Sequence, residues 1–152
     1  MYNFHDAKLW GIKFNLDFLF NHPGFSTIIL DLDYPVNHKW RSPNELITTL
    51  CPCYLYFKEV EFFTLDIKSG NPDKNQMTIE SDSLFIESIE KNEDGSGEWN
   101  ILFLNGVGEI KIRCNEAHLE LHRSLSVEVE MECHIPLSIR RALVLPPPSC
   151  IE

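Results

Sequence analysis

From Leu125 to Cys133 apolar and polar side chains alternate without a break, in the order Leu125-Ser126-Val127-Glu128-Val129-Glu130-Met131-Glu132-Cys133. A period of two cannot line one side of a helix, so the segment reads as a half-buried strand with an acidic outer face. The same period recurs where Ile28, Leu30, Leu32 and Tyr34 oppose Ile29, Asp31 and Asp33, and where Phe63, Leu65 and Ile67 alternate with Thr64, Asp66 and Lys68. Further runs begin at Lys8, Trp99, Ile110 and Leu119. Turn signals separate them at Asn21-His22-Pro23-Gly24, Ser69-Gly70-Asn71-Pro72 and Asn92-Glu93-Asp94-Gly95-Ser96-Gly97. The expected class is therefore mainly β, a predominantly antiparallel sandwich or strongly curved sheet. At most two short helices fit: a turn at Ser42-Pro43-Asn44-Glu45, which has the capping-box pattern, and a segment from Pro136 to Leu145 stopped by Pro146-Pro147-Pro148. The division expected is one β-rich domain over 1–145 and a loose proline-rich tail over 146–152.

With 43% hydrophobic and 11% aromatic residues the chain can bury a core of its own. Its net charge of -10 repels phosphate backbones and anionic lipid, which argues against nucleic acid and membrane and favours a basic partner. No signal-peptide pattern or bilayer-length apolar run is seen, and the odd count of 5 Cys fits a reducing compartment, so the expectation is cytoplasmic, with reduced thiols and no cofactor.

The opening Phe4-His5-Asp6-Ala7, with Ile29-Leu30-Asp31-Leu32-Asp33-Tyr34, Trp40, Cys51-Pro52-Cys53-Tyr54-Leu55-Tyr56-Phe57, Leu65-Asp66-Ile67, Trp99-Asn100-Ile101 and Gly108-Glu109-Ile110-Lys111-Ile112, resembles a family of small uncharacterised bacterial proteins that begin Phe-His-Asp followed by Ala or Ser. The likeness extends to about Arg113 and brings no catalytic residue with it. Over fewer residues the opening also resembles immunity proteins of bacterial polymorphic-toxin systems, which implies a β-rich cytosolic protein that binds and neutralises a toxin domain.

Two constellations could carry chemistry. A hairpin through the turn near Pro23 would bring His5 and Asp6 beside Asp33 and Tyr34, with Asp31 on the same face as Asp33, and such a His/Asp cluster could bind a divalent metal or transfer protons. The alternative is that His5 and Asp6 cap the sheet while the aspartates face solvent. Cys51 and Cys53 with Cys114, His118 and His122 offer zinc-ligand types, but the Cys-x-Cys gap is narrower than that of a knuckle, and His118, Glu120 and His122 read as one face of a strand. No nucleophile motif or phosphate-cradling loop is present.

Aromatic residues point to binding more than to catalysis. Trp10, Tyr34, Trp40, Tyr54, Tyr56 and Trp99 combine large area with a polar tip, and at least half of them are expected to serve a β core. Trp40, within the polar run Asn37-His38-Lys39-Trp40-Arg41, is the first candidate for an exposed anchor, and the face carrying Tyr54 and Tyr56 is the second. The acidic face of Ser126, Glu128, Glu130 and Glu132 is the third. The leading reading is a non-catalytic protein-binding protein with a basic partner such as a toxin domain. The alternative is a small metal-binding protein or enzyme using His5, Asp6, Asp31 and Asp33.

Overall fold

The computed structural model describes residues 4–16, 26–67, 84–130 and 134–148. Two antiparallel sheets enclose one core. The first contains β1 (Leu9–Leu16), β2 (Ser26–Ser42), β3 (Glu45–Lys58) and β8 (Glu116–Leu121) in that order, with β9 (Val127–Glu130) also pairing with β3. The second contains β4 (Phe62–Ile67), β7 (Gly108–Arg113), β6 (Glu98–Phe103) and β5 (Ile86–Lys91). One helix, α1 (Leu137–Ala142), follows. The mainly β, antiparallel class that the period-two runs require is the one observed. Among the described residues no helix is long and apolar enough to cross a membrane.

Alternation sets the layers. Leu30 and Leu32 of β2 with Cys53, Leu55 and Phe57 of β3 meet Ile101, Phe103, Ile110 and Ile112 of the second sheet in the main core, all buried. Phe57 packs edge-on against Trp99, with ring centroids 5.7 Å apart. At its start β1 touches the β5 edge, where Lys8 bridges to Phe85 and Leu9 N–H donates to the Leu84 carbonyl at 2.9 Å. Near its end Phe14 meets Phe63 of β4 at 5.2 Å, so β1 crosses the second sheet from one edge to the other. At the opposite corner the paired ribbons bend from sheet to sheet, β3 into β4 and β7 into β8. Glu59 adopts a left-handed φ of 52° there, and the Asn115 amide bonds its carboxylate.

The β2–β3 hairpin is the longest element, with strands of 17 and 14 residues. Its two prolines fall where a missing N–H is tolerated: Pro35 beside a register shift, and Pro52 where β3 changes partner from β8 to β9. The helical turn expected at Ser42–Glu45 is instead a tight hairpin turn through Pro43 and Asn44, with Ser42 paired to Glu45. The β-branched Ile47, Thr48 and Thr49 take a second strand, and the fixed φ of proline suits a turn as well as a first helical residue. At the C-terminus the expected helix forms over six residues.

At Gly108 a Cβ would stand 2.2 Å from the Asp66 carbonyl oxygen, backbone that cannot yield without parting β4 from β7. Gly108→Ala should therefore cost about 1–3 kcal/mol in urea unfolding. At Gly11 nothing lies within 4 Å of the new carbon, so Gly11→Ala should change stability by less than about 0.5 kcal/mol. Equal effects at the two sites would contradict this register.

Candidate functional site

Asp31 and Asp33 lie on the face of the first sheet turned away from the main core, paired in register with Tyr54 and Pro52 of β3. A polar face would normally meet water. Here it is crossed by the C-terminal strap, residues 134–148, which carries α1. Ile135 of the strap packs with Leu50 and Val129, joined by Val127 and Leu143, in a small second core. Farther along, the Tyr54 hydroxyl donates to the Pro146 carbonyl at 2.9 Å, so the tail expected to be loose is anchored at that residue.

The strap's charged contact is Arg140. Its guanidinium bonds the Asp31 carboxylate, and its Nε stands 3.1 Å from Asp33 Oδ1. The other oxygen of Asp33 accepts from Trp10 Nε1 at 2.8 Å and from the Ile135 backbone N–H at 2.9 Å. The guanidinium also lies 5.4 Å from the Trp10 ring centroid, a cation–π distance. The side chains of Asp33 and Arg140 are 0% and 5% exposed and that of Asp31 is 15% exposed, so the cluster is close to dry.

Two carboxylates share one guanidinium, and the electrostatics follow from that ratio. Burial raises the pKa of both Asp31 and Asp33, and the Arg140 charge beside them only partly offsets it. Lys13 acts on Asp31 and His134 on Asp33 in the same sense as Arg140, while the Asp33 charge itself pushes Asp31 up. Nor is the Asp33 contact fully aligned, since Asp33 Oδ1 and Arg140 Nε are buried and neither makes a well-directed hydrogen bond.

The four residues of the His/Asp constellation do not gather as one group. The Nδ1 of His5 faces the Glu87 carbonyl at 3.0 Å and its Nε2 the Asp6 carboxylate at 3.5 Å, while the Asp6 N–H donates to Ile86. That pair belongs to the seam with β5. The Glu87 carbonyl and then the Asp6 charge raise the pKa of His5, which is more than half exposed. Among the described residues no group of three or more His, Cys, Asp or Glu side chains is placed to hold a metal ion.

Tyr54 and Tyr56, expected as an exposed aromatic face, are instead buried at 2% exposure, packed with Ile29. The strap covers the Tyr54 hydroxyl, and the Tyr56 ring lies beside His118, 6.1 Å between centroids. His118, Glu120 and His122 do share this side while Leu119 and Leu121 pack on the main core. His122 is buried edge-on to Tyr54 at 4.8 Å, with its Nε2 3.7 Å from Glu120. Cys51, Cys53 and Cys114 are buried free thiols whose pKa values burial raises, which keeps them protonated. Cys133 and Cys150 lie outside the described residues.

Trp40 is 64% exposed, as expected of an anchor. Glu128 and Glu130 are exposed on β9, and Glu130 pairs with Arg41 at 2.8 Å. Glu132 lies outside the described residues. Trp10, Tyr34 and Trp99 serve the fold, on Asp33, Phe4 and Phe57 respectively.

No family model matches the chain, and no curated protein or solved structure matches it either.

The raised pKa values have a definite sign. A carboxyl that holds its proton more tightly in the folded state contributes most below the ordinary carboxylate range and loses that contribution as pH rises through its folded pKa. The stability advantage of the wild type over Asp31→Asn in denaturant unfolding should therefore shrink as pH rises above the ordinary carboxylate range. An advantage that grows with pH would mean that Arg140 outweighs burial.

Proposed function

We propose that this protein acts by binding a basic protein partner rather than by catalysis, in its narrower form as an immunity-type inhibitor of a toxin domain. The observation that carries the reading is Trp40, 64% exposed near the tip of the β2–β3 hairpin. A large aromatic side chain held out on a paired strand loses little conformational freedom when a partner covers it, which is how interface anchors gain affinity. The exposed Glu128 on the neighbouring β9 and a net charge of -10 supply the field that would steer a cationic surface toward it.

The hairpin has a second feature in favour of this role. Among the described residues β1 pairs with β2 only as far as Leu32, so the Asn37–Arg41 part of β2 has strand pairing on the β3 side alone. Such an edge can accept a strand from a partner, and Lys39 and Arg41 are residue types that discourage indiscriminate pairing.

Affinity capture with the whole chain, compared with Trp40→Ala and Glu128→Lys, tests the proposal. The expected result is a basic protein whose affinity falls by about 30-fold in Trp40→Ala. In Glu128→Lys its association should slow and become less salt-dependent. The narrower form adds that co-expression rescues cells producing the captured domain. A captured protein that binds both variants as it binds the wild type would overturn the proposal.

A further inference from the structure

We propose that the recess formed by Asp31, Asp33 and Trp10 on the outer face of the first sheet is an arginine-binding site, occupied in cis by Arg140 and open in trans to an arginine side chain of the basic partner. The inference rests on the preceding reading for the identity of the partner, and on the geometry of the recess for the chemistry it takes.

The recess has the parts that a guanidinium needs. Two carboxylates on alternate residues of β2 present acceptors to a planar fork, and an indole lies 5.4 Å from the guanidinium carbon. Trp10 is itself fixed, because its N–H donates to Asp33 at 2.8 Å. The carboxylates and the indole thus stand on the paired strands β2 and β1 of one sheet, while their cation comes from a short strap.

The fit of the present occupant is incomplete, which is the second independent observation. Asp33 Oδ1 and Arg140 Nε face each other at 3.1 Å, both buried, without an aligned hydrogen bond. Two carboxylates share this one guanidinium in a nearly dry site.

The strap that delivers Arg140 is also weakly built. α1 has six residues and no side-chain cap, and Leu137, Ile139 and the following Val144 are 43%, 40% and 87% exposed. Beside Arg140 its holds are Ile135, whose N–H bonds Asp33, the His134 ring against Phe85, the half-buried Leu143 and Leu145, and the Pro146 carbonyl. A partner segment presenting arginine with better-aligned hydrogen bonds could displace it and gain the Tyr54 face as well. Lysine would serve poorly, since a point charge cannot reach two carboxylates as a fork does.

The test uses the full chain carrying Arg140→Ala and a synthetic peptide of residues 134–148, followed by calorimetry and by the Trp10 indole N–H resonance. The peptide should bind the variant at least tenfold more tightly than it binds the wild type, whose site is filled, and should shift the indole resonance. The Arg140→Lys peptide should bind at least tenfold more weakly, and Asp33→Asn added to the variant should abolish binding. Should Arg140→Ala fail to fold, the Arg140→Lys chain replaces it, and methylguanidinium should raise its Tm where methylammonium does not. Equal binding to variant and wild type, equal binding of the two peptides, or no response to methylguanidinium would overturn the inference. A captured basic protein that binds Arg140→Ala no more tightly than wild type would overturn it while leaving the preceding proposal standing. Failure to capture any protein, with the peptide results as expected, would overturn only that proposal.

Discussion

Asp33 is the point on which the outer half of this protein depends. One carboxylate with no exposed surface holds a tryptophan of β1, a backbone N–H of the strap and the edge of a guanidinium. These contacts tie β1 and two points of the strap to the middle of β2. Leaving such a carboxylate without its cation costs about 3–5 kcal/mol, a large share of the stability of a domain this size. The sandwich itself makes no such demand, since its core of Leu30, Leu32, Leu55, Phe57, Ile101 and Ile110 is apolar and closed.

The protein therefore has two layers of different character. Inside, alternation and volume decide the outcome. Outside, a strap with few buried apolar groups is kept in place by charge, by the Ile135 N–H on Asp33 and by the Tyr54 hydroxyl on the Pro146 carbonyl, so its docking should be more sensitive to single substitutions than the core is. The hairpin tip stands apart from both. Trp40 has no part in the three apolar clusters, which leaves its ring exposed.

The sheets were legible because period two survives in the sequence wherever one face is buried, as at Ile28–Tyr34 and Val127–Glu130. The exposure of Trp40 was legible from its polar neighbours. The turn at Pro43 was misread because a capping-box pattern and a proline-initiated hairpin turn share the same residue types, and only the strand on the far side decides between them. The partner of Asp31 and Asp33 was not legible, because Arg140 lies more than 100 residues away and nothing local marks one arginine of a pair as the buried one. For the same reason Tyr54 and Tyr56 read as an open face. Period two places them opposite the core correctly, but it cannot show that a later segment returns to cover them. The placing of His5 was illegible for a related reason: the strand pairing assumed for the His/Asp constellation is present, yet His5 turns to the Glu87 carbonyl at the seam between the sheets.

Native-state amide hydrogen exchange on the wild type and on Arg140→Ala measures the central claim directly. If Arg140 holds the strap, the variant should lose protection at Ile135 and across Leu137–Ala142 while the amides of Leu30, Leu55 and Ile110 keep theirs. Protection of the strap unchanged by the substitution, or lost only together with that of the core, would contradict the account.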